Sequence, residues 1–192
     1  DTSLPASNYS LLRLGLIECQ DFQQLGYGTS SAKDLTLSFW VKSNKTGTQQ
    51  VLFSAHDTVQ KHAGATITIN TADTWEKKEF TISGYQDANF PNTVNISLTV
   101  DMFLSAGSNY TSGTAVGNSW AVRTQANQAV NNLGIADSTS NYFQITGVQL
   151  EVGSVATSFE HRSYGEELAL CQRYYQIVEA HGRFRAAGTS HI

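Results

Sequence analysis

Between residues 35 and 43 the chain reads LTLSFWVKS, a strict alternation of apolar and polar positions. Leu35, Leu37, Phe39 and Val41 fall on one side of an extended chain. Thr36, Ser38, Trp40 and Lys42 fall on the other. The pattern predicts a strand with one face on a core, ended by the turn formers of NKTGT. A second strand is expected over 49–55, pairing back as a hairpin. A third is expected over 65–71, with Ile67 and Ile69 together. Past the TADT turn, residues 79–83 alternate again with Phe80 and Ile82 inward, and Trp75 is expected to anchor that strand in the core. Residues 95–104 alternate throughout and put Ile96, Leu98, Val100 and Met102 on one face.

The two ends of this region need more care. Leu12, Leu14 and Leu16 recur at period two and predict an early strand, followed by another over 18–25. In the last strand, 141–152, Phe143 and Ile145 share one phase, and Val148, Leu150 and Val152 share the opposite one. A β-bulge at Thr146-Gly147 would bring both sets to the core. Residues 107–118 and 123–140 carry little periodicity and read as loops. Several short strands separated by turns define an all-β chain, an antiparallel β-sandwich of jelly-roll type over 1–160. A short C-terminal helix follows over 161–178. Ser163 and Glu166 have the spacing of a capping box. Leu168, Cys171 and Tyr175 recur at i, i+3 and i+7 as an apolar stripe, which Leu170 and Tyr174 extend. Glu166 and Glu167 in the first turn and Arg173 later suit the helix dipole. The stripe is expected to dock on the sandwich, a neighbouring subunit or a following domain. Residues 179–192 read as a tail or the start of a further segment.

Composition narrows the function classes. Hydrophobic residues make up 40% and charged residues 15%, and the remainder, rich in Ser, Thr, Asn, Gln and Gly, suits strands joined by polar loops. The net charge of −4 and the lack of a basic patch argue against nucleic acid as a partner. No apolar run approaches the roughly 18 residues of a membrane span, so no membrane insertion is expected. Cys19 and Cys171 are expected to be buried free thiols. The His residues show no HExxH or other ligand spacing, which leaves no metal centre expected. Ca²⁺ is the one cofactor left open, through Asp73, Asp101 or Asp137, although no EF-hand-like loop is present. No catalytic residue is assigned. His161, between Glu160 and Arg162, reads as part of an ion-pair cluster at the helix entrance. With Asp at position 1, the chain is expected to be a piece of a longer protein.

Four stretches, QDFQQLGYGTSSAKDLTLSFWVKSNKTGT, TADTWEKKEFTI, GSNYTSGT and ITGVQLEVGSVATSFEHRSYGEELALCQRYYQ, occur in that order. Together they resemble a family of modules in tail-fibre and other virion proteins of phages of marine and freshwater bacteria, cyanophages included. The resemblance runs from about residue 18 to 175, and the last block is its most specific part. It implies a sandwich like that of carbohydrate-binding modules and a non-enzymatic structural or adhesive role in a tail fibre. It also implies a homo-oligomer, a trimer as in most fibres, with other virion proteins and host surface polysaccharide as partners. Three alternatives stay open: a capsid decoration protein, a glycan-degrading module, and a carbohydrate-binding module of a secreted hydrolase. Regions 49–66 and 85–95 match the family least, and ligand preference would vary there. Trp120, Tyr110, Tyr85 and Trp40 are the candidate glycan-binding residues, because an aromatic face packs against the C–H face of a pyranose. Phe90 belongs with them as a loop aromatic. Trp40 has a second reading, in which it packs under a loop, the C-terminal helix or a neighbouring subunit. Asn109, Asn118 and Gln86 can offer amide hydrogen bonds to hydroxyls.

Overall fold

In the computed structural model, residues 4–56, 59–87, 90–172 and 175 are described. The chain divides into two compact units, 1–159 and 160–192. The first is an antiparallel β-sandwich. Its strands are β1 (Tyr9–Glu18), β2 (Leu35–Ser43), β3 (Gly47–Ala55), β4 (Lys61–Ile69), β5 (Glu76–Ile82), β6 (Ile96–Ala106), β7 (Ala121–Val122) and β8 (Phe143–Val152). Among the described residues, a five-stranded sheet has the order β1-β6-β3-β4-β7, and a three-stranded sheet the order β5-β2-β8. The chain passes repeatedly from one sheet to the other.

The core lies where the alternation puts it. Leu35, Leu37, Phe39 and Val41 of β2 are buried against Val51 and Phe53 of β3 and Leu98, Val100 and Met102 of β6. Ile96, grouped with the last three by its phase, is exposed at the start of β6. The bulge in β8 is present. Ser38 pairs with Gln149 and Trp40 with Thr146, so β8 carries one residue more than β2 there. Gly147 takes φ 59° at that point, a left-handed conformation that costs glycine least. Phe143, Ile145 and Leu150 pack on the core as expected, whereas Val148 at the bulge and Val152 at the strand end stay exposed.

Further expectations are corrected. In β1 the register slips between Arg13 and Gly15, so Leu12, Leu14 and Ile17 reach the core and Leu16 faces solvent. The strand expected over 18–25 is a 3-10 helix, Cys19–Leu25, whose buried residues are Cys19, Phe22 and Leu25. Their spacing of three is the period of that helix, not the two of a strand. Trp75 is exposed in the turn before β5 and anchors nothing in the core.

The edges of the sheets are short, irregular or charged. β7 covers β4 only at Lys61 and His62, and Gly64 donates its backbone N–H to Gly117 O at 2.7 Å beyond it. The edge strand β5 begins EKKE, with Lys78 bound to Glu76 at 2.6 Å and Lys77 to Glu79 at 3.0 Å.

The second unit contains one described helix, Tyr164–Gln172. Its capping box forms: Ser163 N–H donates to Glu166 Oε2 (3.0 Å) and Glu166 N–H to Ser163 Oγ (3.4 Å). The Ser163 N–H, and the Ser163 hydroxyl donating to Glu166 Oε2 at 2.8 Å, hold the Glu166 carboxyl below the usual range. Arg162 pairs with Glu160 and Glu167, the ion-pair cluster expected at the helix entrance. None of the helix residues is buried. Leu168 and Cys171 share one side, but Leu170 lies about 200° around from Leu168 at ~100° per residue, so it does not extend the stripe. Tyr175 is also exposed, and its N–H reaches Cys171 O at 3.1 Å; Tyr174 lies outside the described residues. Both cysteines are free, as expected, but Cys171 is exposed rather than buried.

Candidate functional site

The outer face of the five-stranded sheet is polar along β6 and β3, yet it is buried. Thr99, Asp101 and Ser105 of β6 and Gln50 and Ser54 of β3 are covered. The cover comes from residues 107–137, most of which read as loop in sequence. It contains a short helix α1 (Ser108–Thr111), the strand β7, and 3-10 turns at Gln125–Asn127 and Ile135–Asp137. Buried glutamines hold it down. Gln50 Nε2 donates to Asn127 O at 2.8 Å, and Gln50 Oε1 accepts from Val116 N–H at 3.3 Å. Gln49 Oε1 accepts from Leu133 N–H at 3.3 Å. A small apolar cluster of Leu52, Phe103 and Ala129, with Leu11, Tyr110 and Val116 against it, completes the attachment.

The cover leaves a cleft of about 120 Å³ beside the Arg13–Asp101 pair. Tyr9, Leu11 and Arg13 come from β1, Ser54 from β3, His56 from just after it, His62 from β4, and Asp101 and Phe103 from β6. The covering segment adds Tyr110, Arg123 and Gln128. One wall is aromatic: the ring centre of Tyr9 is 5.2 Å from that of Phe103 and 5.0 Å from that of Tyr110. Tyr9 is about half exposed, so its ring is accessible.

The polar wall has spent some of its groups and not others. Arg13 Nε donates to Asp101 Oδ1 at 2.7 Å and Nη2 to Oδ2 at 3.3 Å, while Thr99 Oγ1 donates to Oδ2 at 2.9 Å. The hydrogen bond to Asp101 raises the Arg13 pKa further, so the guanidinium stays charged. Burial, then the nearby Arg123 charge, pushes the His62 pKa down to about 4, which leaves the ring neutral. Burial and Arg13 lower His56 in the same direction, and its Nε2 lies 3.2 Å from Thr99 Oγ1. Among the described residues, two atoms of lining residues, His62 Nδ1 and Gln128 Nε2, are buried without a hydrogen-bond partner. Their residues are only 4% and 2% exposed, where an unmade hydrogen bond costs about 1–3 kcal/mol. Such a cavity has room for several waters or for part of a monosaccharide.

Arg13→Leu is expected to destabilise the sandwich by about 1–2 kcal/mol, since Asp101 is buried but Arg13 is partly open to water. The double change with Asp101→Leu should recover most of that loss in urea denaturation.

Of the four aromatic candidates, Tyr110 is the one that lines this cleft. Tyr85, expected at an exposed surface, is 1% exposed and belongs to a core cluster with Phe22, Tyr27 and Phe90. Phe90 is likewise buried, with its ring against those of Phe22 and Tyr27. Trp120 leans on Tyr85 at 4.9 Å and donates its indole N–H to Ser83 O at 2.7 Å. Trp40 is partly exposed on the outer face of the other sheet, beside Gly147. The Ca²⁺ candidates are engaged by protein groups: Asp101 by Arg13, Asp137 by Lys45 at 2.6 Å, and Asp73 by the Tyr142 hydroxyl. Among the described residues no three His, Cys, Asp or Glu side chains gather as a metal site. No helix of the described residues is long and apolar enough to cross a membrane.

Sequence reasoning missed Arg13, His62, Arg123 and Gln128. The one available signal was the run of polar residues on the second face of β6 and β3, where water-facing positions proved to be covered. The chain matches no protein-family model, no curated protein and no solved structure.

Proposed function

We propose that this chain is a non-enzymatic adhesive and structural module of a phage virion, part of a trimeric tail fibre, and that its cleft contacts host-surface glycan. The observation that carries the reading is the cleft itself. It joins an accessible aromatic wall to lining residues whose buried polar atoms have no partner among the described residues. Sugar recognition calls for that pairing, ring contact on one side and fixed hydrogen bonds on the other. The tail-fibre part rests on the resemblance of the ITGVQLEVG and EELALCQRYY block. The non-enzymatic part is supported by the cleft's acid content. Asp101 is the one carboxylate among its described lining residues, and glycoside hydrolysis ordinarily uses two.

The test is location and binding together. Gold-labelled antibody against the chain should mark the tail fibres of intact virions, and the purified protein should bind polysaccharide from a susceptible host. Label spread over the head would instead make it a decoration protein. Release of reducing ends from that polysaccharide would make it an enzyme.

A further inference from the structure

We infer that the cleft takes an acidic sugar, one whose ring carries a carboxylate, rather than a neutral one. This rests on reading the cleft as a glycan site. The charges lining it do not balance. Arg13 and Asp101 neutralise each other across 2.7 Å. Arg123, the remaining charged residue of the lining, meets only neutral acceptors. Its Nη1 donates to Gln60 Oε1 at 2.5 Å, and no carboxylate among the described residues pairs with it. Among the described residues the cleft thus keeps one cation without a carboxylate partner, in a chain whose net charge is −4.

The unspent hydrogen-bonding groups have the same bias. Gln128 Nε2 is a donor and requires an acceptor. His62 Nδ1, on a ring that is neutral, can donate or accept, depending on its tautomer. A carboxylate is acceptor-only, which is the chemistry that both the Gln128 amide and the Arg123 guanidinium call for, and charge-assisted bonds to a guanidinium are about twice as strong as neutral ones. The hydroxyls of the same sugar suit the two-way His62 nitrogen and Ser54. The Tyr9 and Tyr110 rings stand 5.0 Å apart at 64° and offer the apolar surface for the C–H face. His62 also lines a second hollow of about 140 Å³, with Thr114, Gly117, Ser119 and Asn127. Room for a neighbouring unit of an acidic polysaccharide therefore lies directly beside the first.

The experiment uses the whole chain on an immobilised panel that pairs uronic- and ulosonic-acid oligosaccharides with their methyl esters and with neutral analogues. At least one acid is expected to bind about tenfold more tightly than its ester, the worth of one charge-assisted bond. Arg123→Gln should erase that difference, and Gln128→Ala should weaken acid and ester alike. Added salt should shrink the advantage of the acid. Equal binding of acid and ester that Gln128→Ala still weakens would overturn the acidic-sugar inference and leave the glycan reading standing. Failure of the folded protein to bind any panel member, or binding indifferent to both substitutions, would overturn both, and the cleft would be a water-filled seam.

Discussion

Phe53→Ala is expected to lower the free energy of unfolding by about 3–5 kcal/mol, the range for removing a buried aromatic ring. Phe53 sits mid-strand in β3, fully buried, with Ala63 of β4 on one side and Val100 of β6 on the other. Its ring crosses the interior to meet Phe80 of β5, 6.1 Å away and nearly edge-on at 83°. The contact therefore joins the two sheets rather than two strands of one sheet. Small neighbours such as Ala63 and Ala55 cannot swell to fill the space, so the cavity persists. For a domain of this size the loss corresponds to a fall in melting temperature of roughly 6–20 °C. Phe53→Leu should cost far less, because it keeps most of the volume. A fall of less than about 1 kcal/mol in Phe53→Ala would show that the sheets do not depend on this contact.

Mild acid is the second large lever, and His62 is its fulcrum. The unfolded chain takes up a proton at this residue near 6.5, whereas the folded ring resists until about 4. Between those values the unfolded state binds more protons, so stability is full above 6.5 and falls as the pH drops through the window. The total is about 3 kcal/mol if the whole difference is expressed. His56, depressed in the same direction, adds to it. His62→Gln should flatten the dependence of melting temperature on pH across this window. A later loss should survive in that variant. The bond from Lys78, with others from Thr71 and Asn70, holds the Glu76 carboxyl down to about 2, so its stabilisation is present above 4.5 and disappears as the pH falls towards 2. A wild-type protein equally stable at both ends of the upper window would refute the burial of a neutral His62.

The strands were readable because each carries its own instructions. The alternation in β2, the phase slip around Gly147 in β8 and the capping box at Ser163 are local patterns, and each forms. What failed was local pattern of the wrong period or with a hidden partner. Cys19, Phe22 and Leu25 are spaced by three, and that spacing was available to be read. Tyr85 and Phe90 lie in segments of polar character, and only the three-dimensional fold brings them onto Phe22 and Tyr27. The cleft is the extreme case. Arg13, His62, Asp101, Arg123 and Gln128 come from distant parts of the chain, and no spacing relates them. A search for exposed loop aromatics therefore reached Tyr110 and passed over the polar groups opposite it.

The treatment of the sheet edges has a consequence for crowding. An unpaired strand edge is a template for another chain, and flat apolar edges drive copies of a protein to stick. Here β5 presents EKKE, β8 is kinked by its bulge, β1 slips register at three points along β6, and β4 is closed off by two residues of β7 and by Gly117. Many copies held close together, or refolding at high concentration, should thus stay free of edge-to-edge strand pairing. Replacing Lys77 and Glu79, the exposed members of that run, with valine would be expected to turn a soluble preparation into one that precipitates.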